Sequence, residues 1–404
     1  MEFFEKYKTA FILFSVAFLV AIIAIAFVNT DDFLTQPTER KVEVEGLSLQ
    51  GYRQGKPTWQ LQAKYAWSSF SLDHPIVEHI YNGKLYDNGR LVLQDLNARM
   101  VNVNVPQERL YADRGVRAVL IRQANGTTRN VQIWAEQLNY FSTEKKSYIQ
   151  RSVKVVDIEN HIDAAIATID HAQNTVSFTK DWVLWRPGTK ITGLTLMADI
   201  NKQSFSVNGS VVLAKSADKT VTDNFRNKDT KATCDTLDLQ TVSGSAEIAL
   251  KGHVQLWQKD KHAFADKAYA YEATDQFVLV QKAGIVFEKT DWLFSEKSLK
   301  KMKQEETRAL AYERLTMHGD MLNISTKTKD VTASGNVQVL VKQKNATAEH
   351  AFYDSLKEKI TLSGNVRMKK EDGSWVSAQS VIIDVPTERF EAIGQAESTV
   401  ILSR

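Results

Sequence analysis

The chain has a single cysteine, Cys234, in 404 residues. One thiol excludes an intramolecular disulfide and any multi-cysteine zinc site. Six prolines leave few rigid linkers. The formal net charge of +3 is small for a nucleic-acid binder, and no stretch concentrates Lys and Arg with aromatics as a strand-binding groove does. Nucleophile elbows, phosphate loops, zinc helices and spaced Cys–His sets are all missing. The densest potential ligands, Asp73, His74, Glu78 and His79, surround Pro75 and read as a polar loop rather than a metal site. Acidic pairs are common, but they fall in turns and after bends, where solvation accounts for them. A two-carboxylate glycan hydrolase is the remaining catalytic alternative. The expectation is therefore a protein with no catalytic residues, no metal and no cofactor.

Long apolar runs are also scarce. One exists, Thr9 to Val28, and it carries no charge. Twenty helical residues at about 1.5 Å each span a hydrocarbon core of roughly 30 Å. Lys6 and Lys8 precede it and Asp31 and Asp32 follow, which sets the N-terminus on the cytoplasmic side. Ala24-Ile25-Ala26 resembles a signal-peptidase site, so a cleaved signal is the competing reading. The run continues through Phe27 and Val28, which favours an uncleaved anchor over residues 1–30. Either reading sends the rest of the chain out of the cytoplasm.

Helical periodicity is nearly absent beyond the anchor. What recurs instead is a pair of apolar or small residues two apart, then a second pair displaced by three. It reads Val376, Ala378, Val381, Ile383 near the C-terminus. Earlier copies are Ala346, Ala348, Ala351, Tyr353; Ala263, Ala265, Ala268, Ala270; and Ala232, Cys234, Leu237, Leu239. Others are Ile191, Gly193, Leu196, Ala198; Ile162, Ala164, Ala167, Ile169; and Ile133, Ala135, Leu138, Tyr140. Leu96, Ala98, Val101, Val103 and Leu61, Ala63, Ala66, Ser68 fit as well. Most copies lie about 30 residues apart, the mark of a stacked array. Residues two apart share a strand face, so a step of three keeps the apolar side inward only across a bulge or bend. A small residue before the step lets the backbone turn, and a polar one such as Asp266, Glu349 or Gln379 follows.

Each such strand is followed by a polar turn, for example from Asp170, Asp354 or Asp384, and by a return strand, several of which run into Gly-x-Val. Gly209-Ser210-Val211, Gly252-His253-Val254, Gly335-Asn336-Val337 and Gly364-Asn365-Val366 are the copies. The pattern predicts an all-β, elongated stack of hairpins in two facing sheets. Two stretches break it. Ser298 to Leu315 is charged and helix-forming, an inserted helix or loop at about 296–314. Lys215 to Lys231 is polar and unpatterned, a boundary between stacks at 40–214 and 231–404. Cys234 takes a small-residue position and reads as buried. Trp182 and Trp185 read as packed aromatics, with a groove or membrane edge as the alternative.

These residues carry a family likeness. The Gly-Asn-Val segments with their Ala-Glu and Ala-Gln corners resemble the periplasmic bridge family of lipopolysaccharide export, the LptA or OstA-like proteins. The membrane-proximal part, with Gly55, Trp59, Leu61 and Ala63 after one helix, is similar to the anchored partner LptC. The resemblance implies a β-jellyroll open along one side whose apolar groove passes acyl chains. It implies an inner-membrane, single-pass protein with its bulk in the periplasm. It also implies an ABC transporter complex as donor, lipopolysaccharide or a related glycolipid as cargo, and a soluble bridge protein or the outer-membrane translocon as acceptor. The candidate groove residues are then Leu61, Ala63, Ile133, Ala135, Leu138, Ile162, Ala164, Ile191, Leu196, Ala265, Val337, Ala348, Val366, Val376, Ala378, Val381 and Ile383. Phe390, Ile393, Val400 and Leu402 form a candidate edge for head-to-tail strand addition. From patterning alone a closed sandwich core fits equally well, and a structural scaffold or stalk is the alternative function.

Overall fold

A computed structural model describes residues 42–400 apart from 69–72, 125–126, 159, 200–201, 203, 218, 221–227, 243–244, 290–312, 342–343 and 388. The expected anchor at 9–28 lies outside the described residues, and no described helix is long and apolar enough to cross a membrane. Most of the charged stretch Ser298–Leu315 also lies outside them; its last residue, Leu315, opens a strand rather than closing a helix.

The described chain is β throughout, apart from a 3-10 turn at Glu272–Thr274. Its first strands are β1 (Val42–Arg53), β2 (Lys56–Ser68), β3 (Ile76–Asp87), β4 (Arg90–Asn104), β5 (Arg109–Ala124), β6 (Thr127–Phe141), β7 (Lys146–Val156) and β8 (His161–Asp170). Four short strands follow: β9 (Thr175–Thr179), β10 (Val183–Arg186), β11 (Thr189–Thr192) and β12 (Thr195–Asp199). Long strands resume with β13 (Ser204–Lys215), β14 (Thr230–Val242), β15 (Ser245–Gln258), β16 (Lys261–Tyr271), β17 (Gln276–Phe287) and β18 (Leu315–Ser325). The last are β19 (Val331–Val341), β20 (Lys344–Asp354), β21 (Lys359–Lys370), β22 (Trp375–Asp384), β23 (Arg389–Ile393) and β24 (Glu397–Thr399). Every pairing is antiparallel, and the long strands pair with their sequence neighbours. The ladder passes from β13 to β14 across the polar stretch 215–231.

From β6 onward each long strand up to β22 has two limbs, because the register slips once in its middle, whereas the β3–β4 and β4–β5 ladders slip more than once. In β13 the residues Gly209 and Ser210 are skipped between Asn208↔Thr236 and Val211↔Cys234. The same slip recurs from β14–β15 to β21–β22. It is a two-for-one bulge, and its two extra residues are both left-handed: Gly209 and Ser210, Gly252 and His253, Gly335 and Asn336, Gly364 and Asn365. Arg151-Ser152, Lys180-Asp181 and Gly209-Ser210 stand 29 residues apart, as do Gly335-Asn336 and Gly364-Asn365. The bulge therefore lies on the Gly-x-Val strand. The intervening strands β14, β16, β18, β20 and β22 bend without any left-handed residue. Small side chains matter there for packing: each corner Ala or Cys stands opposite the Val of a neighbouring bulge, as in Val211↔Cys234, Val254↔Ala265, Val337↔Ala348 and Val366↔Ala378.

The polar residue after each corner lies over the neighbouring bulge. Asn336 Nδ2 donates to Asp320 Oδ2 at 3.1 Å, and Asn365 Nδ2 to Glu349 Oε1 at 2.6 Å. Lys282 Nζ lies 3.4 Å from Asp266 Oδ2, and His253 Nδ1 2.8 Å from Asp235 Oδ2. A Cβ at Gly364 would stand 2.6 Å from Glu349 Oε2, and one at Gly335 would collide with Asp320 Oδ2. Glycine is required at these two positions for its positive φ and for the space that the carboxylate uses.

In the middle the scheme is interrupted but not lost. β8 pairs with β9 through one limb and with β10 through the other. β13 likewise takes β12 on one limb and β11 on the other. So β9–β10 and β11–β12 are two bent strands, broken at Lys180–Trp182 and Gly193–Leu194.

We predict that Gly335→Ala and Gly364→Ala each destabilise the fold by about 2 kcal/mol, from forced positive φ and a lost carboxylate position. Asn336→Gly, where the φ is already +49°, changes stability by less than about 0.5 kcal/mol. Urea midpoints of the three variants check both statements.

Candidate functional site

The inward residues form four rows that run from strand to strand. Limb A, on the side of the turn at residues 171–174, has an inner row that includes Leu138, Ile149, Ala167, Phe178, Leu196 and Val207. The row continues through Leu237, Leu250, Ala268, Leu279, Leu322, Ala333, Ala351, Leu362 and Val381. Its outer row includes Ile169, Val176, Ala198, Phe205, Leu239, Ile248 and Phe277, and reaches Ile360 and Ile383. Limb B carries the Val–Ala pairs of the bulges as its inner row. Its outer row includes Ile133, Val155, Ile162, Leu184, Ile191, Leu213, Ala232 and Leu256. No row is interrupted between β13 and β14.

Exposure grades across these rows. The inner residues Leu237, Leu279, Leu362, Val366 and Val381 are at most 1% exposed. Their outer neighbours Ile248, Phe277, Ile360, Met368 and Ile383 are only partly buried against the same core. The inner rows are closed throughout, and the outer rows mix buried residues such as Ile169, Leu239, Ile324, Leu184 and Ile191 with these partly buried ones, so the trough is exposed only in stretches.

Between β5 and β13 the rows line a small, partly open apolar pocket of about 60 Å³. Val155 and Ile162 of limb B face Ile149, Val176, Phe178 and Phe205 of limb A across it. Its volume has a local cause: Ala167 and Ala198 stand in limb A rows where the neighbouring strands carry Ile149, Phe178 and Phe205. The walls are hydrocarbon, and polar groups gather at the mouth: Asp157, Asn160, Asp199 and Ser204. Asn160 donates through its backbone N–H to Asp157 Oδ1 at 2.7 Å and through Nδ2 to both carboxylate oxygens. Asn160 Oδ1 is buried without a donor. Such a site holds no general acid or base in its interior; it sequesters apolar chains and leaves polar groups at its opening.

The rim of limb A beside the cavity is closed by a buried polar contact. Ser147 Oγ lies 2.8 Å from His171 Nε2, and the His171 ring meets Tyr140 edge-on at 5.8 Å. The Tyr140 hydroxyl donates to the Tyr86 carbonyl at 3.1 Å. Burial pushes the Tyr140 pKa up to about 12 and the His171 pKa down to about 4.

The structure brings the candidate groove residues into these rows. Leu138, Leu196 and Val381 are in limb A's inner row and Ile383 in its outer row. Ala63, Ala135, Ala164, Ala265, Val337, Ala348, Val366 and Ala378 are in limb B's inner row; Leu61, Ile133, Ile162, Ile191 and Val376 lie in its outer row. All are buried except Val376 and Ile383, which are half-buried. Only Ile133 and Ile162 among them line the cavity; most of the others pack against one another. Leu120, Val131, Ile149, Val155, Ala167, Ile169, Val176, Phe178, Ala198 and Phe205 are the apolar cavity residues missing from the candidate set. Of the edge candidates, Phe390, Ile393 and Val400 are exposed, and Leu402 lies outside the described residues. β23 and β24 both pair with β22 and have no partner on their far side among the described residues. Trp182 is buried while Trp185 is exposed. Cys234 is buried, its thiol pushed up to about 11 by desolvation, and its Sγ donates to the Thr236 carbonyl. No group of three metal-ligating side chains occurs among the described residues.

Residues 231–389 match the family of LptA/(LptD N-terminal domain) LPS transport proteins. The matched span runs from β14 to the start of β23 and contains three of the Val–Ala corner pairs whole and Cys234 of the Val211–Cys234 pair. That likeness, read from the Gly-Asn-Val segments, is borne out over this span. No curated protein matches the chain. Among solved structures it is similar to LptH, the LptA homologous periplasmic component of the conserved lipopolysaccharide transport device from Pseudomonas aeruginosa. The two are 15% identical over 45% of this chain and 94% of that one, with a TM-score of 0.21.

The buried His171 predicts an acid-sensitive fold. An unfolded histidine titrates near about 6.5, whereas the folded ring stays neutral down to about 4. Between those values the unfolded chain binds the extra proton. Stability is therefore fully present above about pH 6.5 and declines as the pH falls toward 4, by about 2 kcal/mol between pH 7 and 5. Urea midpoints of the native chain should follow that slope, and His171→Gln should lessen it.

Proposed function

We propose, from the membership of residues 231–389 in a lipopolysaccharide-transport family, that the chain is a periplasmic bridge carrying lipopolysaccharide or a related glycolipid along its trough. In this reading the apolar run at 9–28 anchors it in the inner membrane, and residues 40–214 act as the LptC-like part, receiving lipid from an ABC transporter complex. Residues 231–404 act as the LptA-like part. The exposed edge at Phe390, Ile393 and Val400, together with Leu402 beyond the described residues, adds strands of a soluble bridge protein or the outer-membrane translocon. The sequence carries no phosphate-loop motif, and in this reading the partners supply the energy.

The observation that carries the proposal is the unbroken set of apolar rows, partly exposed at Ile248, Phe277, Ile360 and Ile383 and continuous between the two parts. Burying acyl chains there gains roughly 0.8 kcal/mol per methylene and requires no fixed hydrogen bond, so a chain can be held and still slide. One observation favours a structural shaft without cargo: the inner rows are already packed against each other, as in a closed core.

Photo-crosslinking in cells separates the two. A photoreactive residue at Ile162, Phe205 or Ile383 should capture lipopolysaccharide, and one at the outward position Ser177 should not. A folded, expressed protein giving no lipid adduct at any of the three inward positions supports the shaft and contradicts transport.

A further inference from the structure

At its N-terminal end the trough is spanned by polar contacts. The limb A turns at 105–108, 142–145 and 171–174 are joined in a row: the Ser142 N–H donates to the Glu108 carbonyl at 3.1 Å and the His171 N–H to the Lys145 carbonyl at 2.9 Å. Four contacts reach this row from the tips of limb B. Arg53, at the end of β1, has its Nη1 3.7 Å from Glu108 Oε2. At the end of β3, Asp87 Oδ1 lies 3.2 Å from Lys145 Nζ, and the Tyr86 carbonyl accepts the Tyr140 hydroxyl at 3.1 Å. At the start of β4, Arg90 Nη2 donates to Asn174 Oδ1 at 3.3 Å. Asp87 and Arg90 also lie close enough to act on the buried His171 ring, with opposite signs. At later turns such contacts run along a single limb, as from the Ser355 N–H to Asp330 on limb A, or from Lys228 to Asp260 on limb B.

The strands themselves explain why these tips cross. The register slips three times between β3 and β4 and twice between β4 and β5, against once in ladders such as β6–β7. His79, Asn82 and Asp95 take left-handed φ within the same two strands. Each slip bends its strand and tightens the local twist, so limb B swings farther over the trough here than it does later. Gly83 permits a close approach at the extra bend: a Cβ there would stand 2.9 Å from Leu96 Cβ and 3.1 Å from Leu61 Cδ2. Beneath the tip, the ladder partners Leu85 and Leu93 are fully buried. Leu93 pairs in turn with Leu120, which lines the pocket. The β3–β4 hairpin therefore abuts the near wall of the pocket.

We infer that the limb B tips of β1–β4 form a strap that closes the trough onto limb A, with Leu85 and Leu93 filling the space an occupant would take, so that the open path begins at the pocket. The closure concerns the fold alone; its consequence for cargo rests on the lipid-carrying reading above. The fastenings are polar and partly exposed: the Arg53 and Glu108 side chains are 45% and 35% exposed, those of Lys145 and Asp87 35% and 12%. Pairs of this kind hold weakly in water, so like charges placed across them release the strap.

A pair of nitroxide labels on the full chain tests the strap. Asn88 and Gln173 are exposed, one on each side of the closure. Labelled together, they should give one short, narrow distance by double electron–electron resonance. The combined variant Arg53→Glu, Arg90→Ala, Lys145→Glu sets carboxylates against Glu108 and Asp87 and should lengthen and broaden it. Adding Glu108→Arg and Asp87→Lys reverses both ion pairs and should restore the short distance, which separates release of the strap from misfolding. A long or broad distance in the native chain, a short one that the three changes leave unaltered, or a loss that the added reversals do not mend overturns the strap. Photoreactive residues in cells then read its consequence. Leu49 of β1 and Ile383 of β22 are both inward and half-buried, one behind the strap and one far along the path. Ile383 should capture lipopolysaccharide and Leu49 should not, and the three changes should raise capture at Leu49 at least tenfold. Equal capture at both positions in the native chain, or none at Leu49 after release, overturns the closed end. Absence of adducts at Ile383 as well removes the lipid-carrying reading, and the distances alone then decide the strap.

Discussion

Every long strand of this protein must bend once and still keep its apolar side inward. Strand alternation has a period of two, so a bend without a register change would turn half of the strand's side chains to the wrong face. The two-for-one bulge resolves this. Its pair of left-handed residues reverses the parity locally, and the strand opposite needs only to be small at the crossing point. The carboxylate or amide that follows the small residue then lies over the bulge and bonds its second residue. Backbone conformation, packing of Val on Ala, and the polar contact outside the bend are thus one repeated unit, and the trough is what the unit makes when stacked.

The unit also explains where the trough is open. Near the bend the limbs are close, and leucines and valines of the inner rows fill the space. Farther out the rows are covered unevenly: Ile169, Leu239, Leu184 and Ile191 are buried, while Ile248, Phe277, Ile360 and Ile383 keep part of their surface exposed. Where alanine replaces a large residue in two rows, at Ala167 and Ala198, a small cavity opens. Such a partly exposed apolar surface is unfavourable in water unless something occupies it, which is the physical argument for a cargo.

Much of this was legible in the sequence because the unit is local. The step of three in Ala263, Ala265, Ala268, Ala270 is the bend itself, and the glycine of Gly335-Asn336-Val337 marks a bulge that only glycine accommodates under Asp320. Other bulges were silent: Arg151-Ser152, Lys180-Asp181 and Gln281-Lys282 adopt the same left-handed pair without glycine, held by their neighbours on both sides. The cavity was not legible at all. It depends on which residues of one limb face which of the other, and facing sheets are set by stacking rather than by spacing along a strand. Trp182 and Trp185 illustrate the same limit, since the break at Lys180–Trp182 decides which ring is buried. The distinction between a closed core and an open trough lies in how far the limbs diverge, which identical inward patterns leave undetermined.

The central claim is one continuous apolar path through both parts of the chain. It is tested most directly by nitroxide labels placed singly at Ala198, in the cavity, and at Ile360, in the segment with the family match. Spectra are recorded on the full chain before and after lipopolysaccharide is added. The account predicts that both labels lose motion in the presence of lipid. Immobilisation at one position with no change at the other, or no change at either, contradicts it.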